Sequence, residues 1–237
     1  MNKRAIPIIL ALASFTLIFL AYCQVDNNIT DEDYIYINKY LEAGKIQSLP
    51  TRRDYDDEIR FLIGVQRVVQ HVAETSEGLP LGTSREPRDL YLAHKGLCYD
   101  RSRVMEKIFR SFGLKTRHIS IYSTRNSSSA IVSLTTEQTP SHAVTEVLTA
   151  KGWVVVDSNA PWISIDINGN PIPIARIQLD VTEKDIVWLK DTFPEIYRNS
   201  FVFVYGLYSR HGKFYPPYNP IPDINYKELL DNFFPFP

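Results

Sequence analysis

Ser141-His142-Ala143-Val144-Thr145-Glu146-Val147-Leu148, followed by Thr149-Ala150-Lys151 and Gly152-Trp153-Val154-Val155-Val156-Asp157, is the stretch on which the fold turns. Two runs rich in β-branched residues flank Ala150-Lys151, which is the length of a two-residue hairpin turn. Side chains alternate across a strand, so His142, Val144, Glu146 and Leu148 share one face, as do Trp153, Val155 and Asp157 on the next strand. Pairing Thr149 with Gly152 sets Val144 opposite Asp157. His142 and Asp157 then become diagonal neighbours on one face, with Cα atoms about 7–8 Å apart, a gap that side chains can bridge. A carboxylate there can accept from one imidazole nitrogen, fix the tautomer and leave the other nitrogen for a third group.

The third group lies upstream. Lys95-Gly96-Leu97-Cys98 runs into a helical stripe of Val104, Met105, Ile108, Phe109 and Phe112, with Gly113 where a left-handed C-terminal cap belongs. A helix that opens at Cys98 places the thiol at the positive end of the macrodipole, which favours the nucleophilic thiolate. Gly96 would permit close approach of a substrate backbone. The chain has two cysteines, and Cys23 ends an apolar leader, so Cys98 is the only thiol of the soluble part. Taken singly, each residue has a commoner structural fate: an inert buried cysteine, a core histidine, an aspartate that starts a turn. Their joint placement points instead to a nucleophile, its base and the base's orienter.

Working outward, residues 24–33 read as a polar tether, and Thr30 or Asp31 can cap a short helix over Tyr34 to Ala43 that Gly44 stops. Thr51 is the expected cap of a longer helix, roughly 52–74, with Ile59, Leu62, Val65, Val69 and Val72 at helical spacing. Residues 75–88 form a loop, and 89–94 a helical turn. Leu114 to Tyr122 reads as a strand and the Ser/Thr-rich 123–140 as a loop. Beyond Pro161 the pattern predicts a strand near 172–180, a helix near 182–198 starting at Thr182, and a strand near 200–207. The Pro-rich tail from Arg210 is expected to be extended and packed through Tyr215, Tyr218 and Phe233. The class is α+β, with N-terminal helices packed on an antiparallel sheet. The units are a leader at 1–23, a tether with a short helix at 24–50, and one domain at 51–237.

Composition narrows the function. Of 237 residues, 44% are hydrophobic and 22% charged, and the net charge of −1 excludes a general electrostatic partner such as nucleic acid. Lys3 and Arg4 precede an uncharged run from Ala5 to Tyr22, intermediate between a secretory signal and a spanning helix. Leu20-Ala21-Tyr22-Cys23 resembles a lipoprotein cleavage box, but for Tyr22 where a small residue belongs. A retained anchor, a cleaved signal and a lipidated Cys23 all place the domain outside the cytoplasm. His94, His118 and His142 lack a compact metal-ligand spacing, and neither a metal nor a cofactor is expected.

The stretches 92–100 (Leu-Ala-His-Lys-Gly-Leu-Cys-Tyr-Asp), 113–118 (Gly-Leu-Lys-Thr-Arg-His), 141–147 and 152–157 resemble the core of the transglutaminase-like superfamily, with its Gly-x-Cys, Gly-Leu-x-x-Arg, His-Ala-x-x-Glu-Val and Gly-Trp-x-x-x-Asp segments in order. The resemblance implies a papain-like fold with Cys98 as nucleophile, His142 as base and acid, and Asp157 as orienter. It implies acyl transfer on amide bonds of a protein or peptide, by hydrolysis or transamidation. The sequence departs from the pattern at Val144, where an aromatic is usual, and at Ser158, where proline is more common. Leu92 stands where a papain-type oxyanion glutamine would, leaving Gln70 and Tyr91 as candidates for the second oxyanion donor. The alternative is a membrane-tethered binding or scaffold domain of the same fold without turnover.

Overall fold

The computed structural model of the chain describes residues 5–75, 77–80, 83–125, 129, 132, 133, 136, 139–179, 194–208 and 223–234. The helices come first. α1 spans Ala5–Cys23, α2 Asp31–Gly44 and α3 Tyr55–Val72. Two capping boxes start the latter pair. Thr30 accepts from the Asp33 N–H while Asp33 accepts from the Thr30 N–H, and Asp54 and Asp57 repeat the arrangement. The second box moves the start of α3 from the expected Thr51 to Asp54, because Asp57 gives Asp54 a reciprocal partner. Short elements follow: β1 (Glu74–Thr75), α4 (Pro87–Ala93) and β2 (Lys95–Gly96), then α5 over Cys98–Ser111. Gly113 takes a positive φ of 74° just beyond, the left-handed exit expected of glycine there.

The main sheet has the order β5-β4-β3-β6, antiparallel throughout, from β3 (Lys115–Ser123), β4 (Ser141–Thr149), β5 (Gly152–Val156) and β6 (Phe201–Tyr205). Thr149 pairs with Gly152 and Thr145 with Val156, the register that the two-residue turn requires. Both faces are covered. Val147 and Val154 pack on Leu62 and Val65 of α3 and Ile108 of α5. The reverse face buries Ile119, Ile121, Val144, Val155 and Trp162. Burial on both sides explains why the strands read as nearly continuous apolar runs. On the reverse face Arg117 lies directly opposite Glu146, at 2.7 Å from Nε to Oε2. The guanidinium sits between the rings of Trp153 and Tyr205, at 4.0 and 4.1 Å. The Arg and Glu of the two sequence motifs therefore form one buried ion pair that joins neighbouring strands.

Several expectations give way to the tertiary structure. The strand expected near 172–180 is instead the helix α6, Ile174–Leu179. Pro173 fixes the first turn, where its missing N–H costs nothing, and its carbonyl accepts from Arg176 and Ile177. Of the helix expected near 182–198, residues 180–193 lie outside the described residues. Its end appears as α7, Glu195–Arg198, after Pro194. The strand near 200–207 divides into β6 and β7 (Leu207–Tyr208). Tyr215 and Tyr218 lie outside the described residues. Phe233 is 71% exposed and does not pack on the domain. The end of the tail docks as β8 (Asp223–Ile224) and α8 (Tyr226–Leu230), started by Asn225, whose side chain accepts from the Glu228 N–H.

The segment after α1 is fastened rather than loose. Val25 donates to the Ile224 carbonyl at 3.1 Å, and Arg103 bonds both Asn27 and the Asp26 carbonyl. Cys23 is buried, and Tyr226 Oη bonds the Leu20 carbonyl at 2.9 Å. Phe15, Leu17 and Ile18 of α1 are exposed. Among the described residues, no helix is long and apolar enough to cross a membrane.

Candidate active site

Cys98 is the first residue of α5, and Leu97 before it has the extended backbone of an N-cap. Asp100 is buried completely and organises this turn. Its Oδ2 accepts from the Leu97 N–H at 2.9 Å and the Leu79 N–H at 3.1 Å, while Oδ1 faces Arg85 Nε at 2.8 Å. Gly96 is required by this packing. A Cβ there would come within 2.5 Å of Leu90 Cδ1 and 3.2 Å of Asp100 Cβ. Cys98 itself is partly exposed and rests beside Tyr99, Tyr122 and Ala143.

His142 is the second residue of β4 and is 5% exposed. Its Nε2 lies 2.8 Å from Asp157 Oδ2, and the Cys98 side chain also acts on its ionisation. With Nε2 turned to the carboxylate, Nδ1 is the nitrogen left for the thiol. Burial alone would favour the neutral ring. The Asp157 charge, the hydrogen bond that Asp157 accepts and the neighbouring Cys98 side chain outweigh it and raise the imidazole above its ordinary range. Burial likewise opposes ionisation of Asp157, and His142 with two backbone donors outweighs it, so its carboxyl is lowered.

Asp157 follows β5 directly and is wholly buried, yet every lone-pair direction is used. Oδ1 accepts from the Asn159 and Ala160 N–H groups at 2.8 Å each, and Oδ2 accepts from His142 and from Tyr197 Oη at 2.8 Å. The backbone around it is anchored from α3. Gln66 Nε2 donates to the carbonyls of Asp157 and Trp162 at 2.8 and 2.6 Å, and Gln70 Nε2 to that of Ala160 at 2.9 Å. Ser158 Oγ donates to the Ala143 carbonyl at 2.6 Å, tying the end of the hairpin to the strand that carries His142.

Sequence reasoning grouped Cys98, His142 and Asp157, and the structure bonds His142 Nε2 to Asp157 Oδ2, with Cys98 at the start of α5 acting electrostatically on the imidazole. It misplaced others. Gln70 is engaged with backbone carbonyls, and Tyr91 packs edge-on against Tyr36 and Tyr40, so neither stands as an oxyanion donor. Val144 is buried in the core on one face of the sheet. His94 and His118 stand elsewhere, His118 stacked on Tyr208 at 4.1 Å.

Sequence reasoning also missed three contributors. Arg101, one turn beyond Cys98, is buried, donates to Asn159 Oδ1 at 2.6 Å and feels the charges of Cys98 and Asp157. Its helical spacing from Cys98 was the available signal. Gln66 carried a weaker one, a polar residue in an apolar stripe. Tyr197 carried none, since only the fold returns it to a partner 40 residues earlier.

A cleft of about 420 Å³ opens beside the imidazole, lined by Ser123, Arg125, Ser141, His142, Asn159 and Ile196 among others. Its walls mix hydroxyl and amide groups with apolar surface and carry the Arg125–Glu195 ion pair.

Residues 54–158 match the family model described as the transglutaminase-like superfamily. No curated protein matches the chain. Among solved structures, an arylamine N-acetyltransferase from Salmonella typhimurium aligns at 13% identity and a TM-score of 0.36, over 57% of this chain and 49% of its own. A protein of Cytophaga hutchinsonii described as a candidate cysteine protease aligns at 12% identity and a TM-score of 0.39, over 76% and 66%. The match thus spans about half the length of the first of these structures and about two thirds of the second. Cys98, His142 and the hairpin ending at Asp157 all lie inside the segment that matches the transglutaminase-like superfamily model.

Proposed function

We propose that the protein is a cysteine-dependent enzyme that cleaves or transfers the acyl group of an amide bond. The observation that carries this reading is the imidazole of His142, bonded to a buried carboxylate and raised in part by the Cys98 side chain at a helix start. In the forward step Sγ of Cys98 attacks the carbonyl carbon while the thiol proton rests on Nδ1 of His142. The tetrahedral oxyanion takes a hydrogen bond from the Cys98 backbone N–H, free of an intrahelical partner at the first turn. His142 then gives its proton to the departing amine, leaving a thioester. Water, deprotonated by the same imidazole, attacks the thioester and frees the acid; an amine in its place gives a new amide. The cleft beside His142 fits a peptide or a side-chain amide, and hydrolysis is the preferred outcome because water is abundant.

The test is alkylation of Cys98 by iodoacetamide from pH 5 to 9, in the full chain carrying Cys23→Ala, with His142→Ala beside it. Alkylation that stays fast below about pH 7 and slows about tenfold or more without His142 is expected. A curve that His142→Ala leaves unchanged would remove the enzyme reading and leave a scaffold of the same fold.

Attachment of the domain to a membrane through α1, on the extracytoplasmic side, is proposed as well. It is supported by the exposed apolar side chains of α1 and by Lys3 and Arg4 ahead of them. Alkaline carbonate should leave the full chain with the membrane fraction, and its release would sink this part.

A further inference from the structure

We propose that Tyr197 is a positioning residue of this site, whose hydroxyl competes with His142 for one oxygen of Asp157 and so sets how strongly the imidazolium is held. The inference rests on the enzyme reading for its catalytic meaning, but its central measurement does not need that reading.

The geometry is specific. Tyr197 Oη donates to Asp157 Oδ2 at 2.8 Å, the same oxygen that takes His142 Nε2 at 2.8 Å. The other oxygen is saturated by two backbone N–H groups that no side-chain change can remove. The phenol is buried, with its ring 4.8 Å from that of Trp162 and 6.0 Å from that of Phe201. Its edge also meets the imidazole of His142, at 6.3 Å and 76°. Burial first, and then the Asp157 charge, push the phenol far above its ordinary range, so it remains a donor at every working pH. A second donor on Oδ2 draws charge from the bond to His142. A carboxylate that shares its charge among more donors is a weaker base toward each. The native site therefore holds a less basic imidazole than a His–Asp pair alone would.

Placement adds a second consequence. Tyr197 belongs to α7, and Glu195 and Ile196 of the same four-residue helix line the cleft with His142. One short element thus forms both a wall of the cleft and a hydrogen bond to the orienting carboxylate. The other titratable or charged groups near the site are Arg101 and Cys98 on α5, and the Arg125–Glu195 pair at the cleft, 3.6 Å apart. The α3 residues that approach, Gln66 and Gln70, are neutral.

Two opposite perturbations test the idea. Tyr197→Phe keeps the ring and deletes the donor. A 3,5-difluorotyrosine at position 197 keeps the shape and strengthens the donor. Each is made in Cys98→Ser, and the titration of His142 is followed by NMR of ring-labelled histidine, its signal assigned by loss in His142→Gln. The titration midpoint of His142 is expected to rise by about 0.5–1 unit in Tyr197→Phe and to fall with the fluorinated residue. A purely structural ring would move both variants the same way or neither, and that result would overturn the proposal. In chains that retain Cys98, the alkylation profile should shift with the His142 midpoint. Opposite NMR shifts without any His142-dependent alkylation would uphold Tyr197 and reject the enzyme reading. A native thiol coupled to His142 whose profile ignores both variants would reject Tyr197 alone.

Discussion

Asp157→Asn tests the arrangement of protons most directly. All four partners of the native carboxylate are donors: two backbone N–H groups on Oδ1, His142 and Tyr197 on Oδ2. An amide of the same shape offers one acceptor oxygen and one nitrogen with two donors. Turning that nitrogen toward the backbone strands two partly buried N–H groups, at up to about 1–3 kcal/mol each. The amide therefore keeps its oxygen on the backbone and presents its nitrogen to Tyr197 and His142. The phenol can rotate and accept. His142 must then accept at Nε2, which moves its proton to Nδ1, the nitrogen meant for the thiol. Cys98 loses its base without any change of fold. An unassisted thiol is only a few per cent thiolate at pH 7, so alkylation should slow by about 30-fold there. Amide turnover, which also needs His142 as an acid, should fall on the order of 10⁴-fold, the scale of tautomer loss in such sites. Iodoacetamide labelling followed by mass spectrometry gives the first number, with far-UV circular dichroism to confirm the fold. Labelling of Asp157→Asn within about threefold of the native rate at pH 7 would refute the tautomer argument.

The remaining expectations concern the frame around the site. Glu146→Ala leaves Arg117 buried between two rings and the Ile174 N–H without its carboxylate, and should cost about 3–5 kcal/mol. In a chain of this size that lowers Tm by roughly 6–20 °C, and a fall of less than about 3 °C in thermal unfolding would contradict the pairing. Replacing both partners, as Arg117→Met with Glu146→Leu, should recover most of the loss. The His142–Asp157 pair also gives stability a pH dependence with a defined sign. The lowered Asp157 contributes fully above its unfolded value of about 3.9, and that contribution is lost as pH falls through the folded value. The raised His142 contributes fully below about 6.5, and its share is lost as pH rises through the folded value. Urea unfolding should therefore show this pair's full contribution between about pH 4 and 6.5. His142→Ala should flatten the alkaline decline, and an unchanged slope would count against the pair.

The hairpin was legible because its evidence is local. Alternation puts His142 and Asp157 on one face, the two-residue turn sets the register, and the paired Thr149 and Gly152 are where counting places them. The helix at Cys98 was legible for the same reason, from an apolar stripe closed by Gly113. Errors gathered where a local signal had a competitor. Thr51 is a good cap in isolation, but Asp54 has Asp57 three residues on to complete the box. The apolar stretch 172–180 reads as a strand until Pro173 starts a helix turn beneath the sheet. Gln70 and Tyr91 were plausible donors by type, and only their partners, two carbonyls and an aromatic cluster, remove them from the site.

By itself the sequence determined the class, the order of Cys98, His142 and Asp157 along the chain, and the motifs around them, because each depends on spacing within a helix or across one turn. The tertiary structure alone decided what surrounds them. It joined Arg117 to Glu146, set Arg101 beside Cys98 and Asp157, hung the Asp157 loop from Gln66, and returned Tyr197 to the carboxylate. Those contacts link residues far apart along the chain. No periodicity encodes them, since which distant side chains meet in a buried, low-dielectric site is settled only when the layers pack.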